Sequence, residues 1–157
     1  MSAVEMLFGG TLALGCVLAM VSDARRRMIP NLLCGLLLLV GLAYGFWQEG
    51  LAGLGWHAAH AGVALLIGMT LFAIRWFGGG DGKFYAACAA WFPLQKGFLL
   101  GFWIALAALA LVFVWFTVRK LQGKPTFTLR EGKSAQLPFG IPLGVGTLIT
   151  YAMQLPI

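Results

Sequence analysis

Hydrophobic residues in this chain come in long, nearly unbroken runs, not in the one-sided stripes of a soluble helix. Six runs stand out: roughly Val4 to Val21, Leu32 to Trp47, Ala58 to Phe77, Gly82 to Phe92, Phe98 to Val118 and Phe139 to Leu155. Apolar runs of this kind predict helices that cross a bilayer, which takes about 20 residues each. The fourth run is short and opens on glycines. It predicts a piece that begins inside the membrane or re-enters it to line a cavity. The polar stretch from about Arg119 to Gln136 predicts a loop and not a domain. There is no internal repeat and no Pro- or Ser-rich linker, so residues 1–157 read as one all-α domain, a polytopic bundle of about six transmembrane helices.

Composition agrees with that pattern. The chain is 61% hydrophobic and 10% charged, whereas a soluble domain carries roughly 25% charged residues. A chain this small cannot bury so much apolar surface internally, which excludes a soluble domain and places it in a lipid bilayer. The net charge of +6 then reads as topology and not as nucleic-acid binding. Ten of the eleven basic residues fall on alternate connections: Arg25, Arg26 and Arg27 after the first run, Arg75 and Lys83 around the third connection, and Arg119, Lys120, Lys124, Arg130 and Lys133 in the fifth. The positive-inside rule puts these three connections in the cytoplasm and both termini outside. Glu5 near the start, in place of a basic stretch, predicts a retained first span and not a cleaved signal peptide. Cys16, Cys34 and Cys88 stand singly in apolar runs, without a CxxC pair, and read as small core residues.

Two carboxylates break the apolar pattern at the cytoplasmic boundary. Asp23 ends the first span in Ser22-Asp23-Ala24-Arg25-Arg26-Arg27-Met28-Ile29-Pro30-Asn31, and Asp81 follows three glycines in Gly78-Gly79-Gly80-Asp81-Gly82-Lys83. Ionisable groups at such positions are costly and usually functional. Two carboxylates at one depth on different helices can share a proton, because close like charges do not both ionise readily. The ionised one can draw a proton from water while the protonated one hydrogen-bonds a peptide carbonyl. That chemistry hydrolyses a peptide bond with no metal and no cofactor. Each aspartate also has a plainer reading, Asp23 as a helix-end residue paired with an arginine and Asp81 as a helix cap. Pro30-Asn31 equally suits a bare helix start.

Asp23 followed by Ile29-Pro30-Asn31, then the GxGD pattern from Gly78 to Asp81, resembles the type IV prepilin peptidases, a family of intramembrane aspartic peptidases. Leu137 to Gly144, with Pro138 and Pro142, is similar to the start of that family's last span. The resemblance implies Asp23 and Asp81 as the catalytic pair, with Gly78, Gly80, Lys83, Pro30 and Asn31 as dyad-supporting or substrate-binding residues. It implies a bacterial inner-membrane location with the site facing the cytoplasm, and prepilin-like substrates whose short leader precedes an apolar helix. Larger members carry a paired-cysteine insertion between the first two spans and methylate their product. Here a few residues join those spans, so the chain resembles the short branch serving tight-adherence (Flp-type) pili, and no methyl transfer is expected.

The remaining polar residues have plainer assignments. Arg75 and the three arginines after Asp23 suit topology and lipid contact, and Lys83 could also tune the dyad or bind substrate. The basic loop from Arg119 to Lys133 suits anionic lipid. His57 and His60 fall near the outer face, away from the aspartates. Trp47, Trp56, Trp76 and Trp115 lie near span ends as interfacial anchors. The competing function is a small transporter or ion-relay subunit, since membrane carboxylates also relay protons. Depth separates the two readings, because relay groups sit near the midplane.

Overall fold

The structure, a computed structural model, describes residues 2–75, 78–122 and 137–154. These residues are predominantly helical, without a strand among them. Five helices follow in order: α1 (Ala3–Arg26), α2 (Asn31–Ala73), α3 (Gly79–Ala89), α4 (Gly97–Leu121) and α5 (Gly140–Ala152), with one 3-10 turn at Leu94–Lys96 before α4. Trp76 and the connection from Gly123 to Gln136, which holds Lys124, Arg130, Glu131 and Lys133, lie outside the described residues.

Helix α1 starts from a reciprocal cap. Ser2 Oγ accepts the Glu5 N–H, and the Ser2 N–H donates to Glu5 Oε2 at 2.7 Å. Glu5 thus serves the helix start. Helix α2 has 43 residues, about 64 Å of rise if it were straight. It is not straight, because Glu49 (φ −135°, ψ 18°) and Gly50 (φ 61°, ψ −140°) leave helical geometry. The chain folds back there. A Cβ on Gly45 would lie 2.5 Å from the His57 ring, although twelve residues of continuous helix would hold the two far apart. The second and third apolar runs are therefore the arms of a hairpin, residues 31–48 and 51–73. The second arm begins before the expected Ala58.

Helices α1, α2 and α4 are long and apolar enough to cross a membrane. Helices α3 and α5 are shorter. Eleven residues make α3 about 16 Å long, roughly half a hydrocarbon core. Its place explains its length. Phe84 and every residue from Ala86 to Phe92 are buried, with α2 on one side and α5 on another. Two histidines close its far end. His57 Nδ1 lies 2.8 Å from the Ala90 carbonyl and His60 Nδ1 lies 3.0 Å from that of Phe92, while the Trp91 indole donates to the Leu37 carbonyl at 3.0 Å. Carbonyls at a helix end need such partners where water is excluded.

Outside this core the large side chains face outward. Leu7, Leu14, Leu32, Leu66, Phe98, Leu109 and Phe113 are all more than 60% exposed. Such a surface suits lipid and not water. Cys16, Cys34 and Cys88 are buried and unpaired.

Candidate active site

Helix α1 ends in a tight turn. The Arg27 N–H bonds back to the Asp23 carbonyl, Arg27 takes a left-handed conformation (φ 53°, ψ 34°), and the Ser22 hydroxyl donates to the Met28 carbonyl at 2.7 Å. Ile29 turns inward and Pro30 starts α2 from an extended conformation. The fixed φ of proline suits that position. Helix α3 is preceded by its capping residue Gly78, whose N–H donates to Asp81 Oδ2 at 3.2 Å. Asp81 does cap its helix, as the plainer reading has it, and it also faces a cavity.

The two motifs meet. Gly80 lies against the backbone of Ile29, with room for a Cβ 3.6 Å from the Ile29 nitrogen. Lys83 Nζ donates to Asn31 Oδ1 at 3.0 Å. The start of α3 is thus fastened to the start of α2 by the Lys83–Asn31 bond between two sequence-predicted residues, with Gly80 beside Ile29 just ahead of α2. Close backbone contact between α2 and α3 sets the depth of Asp81. A Cβ on Gly68 would fall 2.7 Å from the Gly82 Cα, so only glycine fits.

Asp23 is buried, and its carboxylate reaches across 117 residues to accept the Gly140 N–H at 2.8 Å. Gly140 is the first residue of α5, where backbone N–H groups lack helical partners and favour an anion. Asp23 therefore has a tertiary partner in addition to its place at a helix end. A Cβ on Gly140 would come within 2.9 Å of both Asp23 Cβ and Oδ2.

Both aspartates line one cavity of about 780 Å³ at the end of the bundle where α1 stops and α3 starts. Gly78, Gly79, Gly80, Pro30 and Asn31 line it with them, as do Arg26, Arg27, Arg75 and Phe139. Lys83 does not. It faces a second, apolar groove of about 380 Å³ between the arms of α2. Among the described residues no three histidine, cysteine or acidic side chains group as metal ligands.

A model of the type IV leader peptidase family matches residues 10–118. The chain belongs to that family. Membership makes it a peptidase, and the long apolar helices make this leader peptidase relative a membrane protein. Both aspartates fall within the matched residues, whereas α5 and its Gly140 lie beyond them. Searches of curated proteins and of solved structures returned no match.

The sequence did not point to Gly140 or Phe139 as neighbours of Asp23, nor to arginines in the cavity wall. No local pattern marks a glycine that must sit under a carboxylate more than a hundred residues away. The arginines looked like topology signals, which is what basic residues at span ends usually are.

Proposed function

We propose that this leader peptidase family member is an intramembrane aspartic endopeptidase that removes the leader of prepilin-like substrates, with Asp23 and Asp81 as its catalytic pair. The observation that carries the reading is that both carboxylates line one open cavity, with Asp23 fixed there by the Gly140 N–H. Asp81 is the member that carries the shared proton. It hydrogen-bonds the scissile carbonyl while Asp23 takes a proton from water. Oxygen of that water bonds to the carbonyl carbon while Asp81 gives its proton to the carbonyl oxygen, which yields a gem-diol. Collapse of the diol returns one hydroxyl proton to Asp81 and breaks the C–N bond, and the leaving nitrogen takes the proton held by Asp23. Nothing in these steps requires a metal or cofactor.

The substrate would lie with its apolar helix in the bilayer and its leader at the cytoplasmic boundary, where α1 ends among Arg25, Arg26 and Arg27. The whole chain would cross a bacterial inner membrane six times with both termini outside, in α1, the two arms of α2, the short enclosed α3, α4 and α5. The brief α1–α2 connection without paired cysteines supports the short, tight-adherence branch and no methyl transfer.

The test is co-expression with a pilin precursor from the same genome, followed by mass measurement of the pilin N-terminus. Loss of a short leader, dependent on the chain, is expected. An unprocessed precursor at matched membrane levels of both proteins would overturn the proposal.

A further inference from the structure

Only two non-glycine residues among those described have a clearly left-handed backbone, Arg27 (φ 53°) and Arg75 (φ 62°), and both line the aspartate cavity. Arg27 is the more telling. It occupies the helix-ending position where glycine is the favoured residue. An arginine there accepts a backbone conformation that L residues seldom take. Its side chain is half-buried, Nη1 is shut off from solvent, and that nitrogen has no hydrogen-bond partner. A guanidinium N–H buried without an acceptor is unfavourable unless an acceptor arrives.

The reaction proposed above supplies one once the Arg27 side chain, which lines the cavity, turns that nitrogen into it. A peptide bond can be cut only where the substrate chain is extended, and an extended backbone at the membrane boundary has carbonyls that no helix satisfies and little water to satisfy them. Donors in the cavity wall are then needed as much as the two carboxylates. Arginine supplies several, in a fixed planar fork that stays charged at any working pH.

We propose that Arg27 is a substrate-positioning residue, whose guanidinium donates to a main-chain carbonyl oxygen of the peptide segment lying in the Asp23–Asp81 cavity. This rests on the peptidase reading. It concerns binding of the segment and not the proton transfers, so the role is separable from that of the aspartates. It also separates Arg27 from its neighbour Arg25, which is exposed and does not line the cavity.

The turn itself provides a clean variant. Arg27→Gly removes the guanidinium and puts the preferred residue at φ 53°, so the helix end should be at least as stable as before. Arg27→Lys keeps one charged donor. The assay is cleavage kinetics on a prepilin precursor that the wild-type chain cleaves, with purified protein in vesicles of purely zwitterionic lipid and in vesicles with added anionic lipid. Arg27→Gly is expected to lower kcat/KM roughly ten- to hundredfold, the scale of a hydrogen bond to a charged group, mainly through a higher KM and at unchanged thermal stability. Arg27→Lys should recover part of that loss, and Arg25→Gln should behave as wild type. Wild-type kinetics for Arg27→Gly would make Arg27 a helix cap only and overturn the proposal. So would a defect that appears only with anionic lipid, which would assign the guanidinium to a lipid phosphate, and so would a loss that follows lowered stability in both Arg27 variants. Asp81→Asn runs in parallel. If that variant still cleaves, the aspartic reading fails on its own, whatever Arg27 does.

Discussion

Gly140→Ala puts the contact between α5 and Asp23 to the test. The added methyl carbon would sit 2.9 Å from Asp23 Cβ and 2.9 Å from Oδ2, about half an ångström inside the 3.4 Å at which ordinary contact begins. Asp23 is packed against the start of α5, so either its side chain or that helix start must move. Overpacking of this kind costs about 1–3 kcal/mol. Movement also stretches the 2.8 Å bond from the Gly140 N–H, a hydrogen bond to a charged group worth about 1.5–3 kcal/mol. The catalytic effect should be larger than the loss of stability suggests. Displacement of a reacting group by about 1 Å can cost on the order of a hundredfold in rate. A five- to hundredfold drop in the processed fraction of a cleavable precursor is therefore the rough expectation, at matched membrane levels. Gly80→Ala is the informative companion. Its methyl would lie 3.6 Å or more from Ile29, in ordinary contact, and should be tolerated. If Gly140→Ala processes at the wild-type rate while remaining folded, Asp23 is not held by α5 in the working enzyme.

Three further outcomes are expected. Asp23→Asn and Asp81→Asn should each abolish cleavage without loss of insertion, and the double variant should be little worse than either, because members of one catalytic unit are not additive; near wild-type processing by Asp23→Asn would reduce it to a helix-end residue. Gly68→Ala should separate α2 from α3 through its 2.7 Å clash with the Gly82 backbone and lower both thermal stability and cleavage, whereas Gly101→Ala, with open space at its Cβ, should do neither. Reporter fusions after Arg27 should read cytoplasmic and fusions near Gly50 and at Ile157 external; a cytoplasmic C-terminus would refute the six-span count.

Much of this protein follows from the sequence taken by itself. The membrane class follows from apolar runs that no chain of this size could bury. The two aspartates stand out because a carboxylate is improbable at the end of an apolar run unless something there needs it. The breaks between helices are local as well, since Gly50 and Pro30 act through their own backbone preferences. Tertiary structure decided the rest. It decided that Ile29 and Asn31 pack on Gly80 and Lys83, turning two motifs into one site, and that Lys83 turns from the aspartates toward the groove between the arms of α2. It decided that the short α3 is enclosed by the other helices, and that Gly140 holds Asp23. It also brought Arg27 into the cavity wall, a role that a run of three arginines does not disclose. The physical reason is common to all of these. Hydropathy and backbone preference are properties of short stretches and are written in them. A hydrogen bond across more than a hundred residues, or a helix crossing that admits only glycine, depends on a partner that the local sequence does not contain.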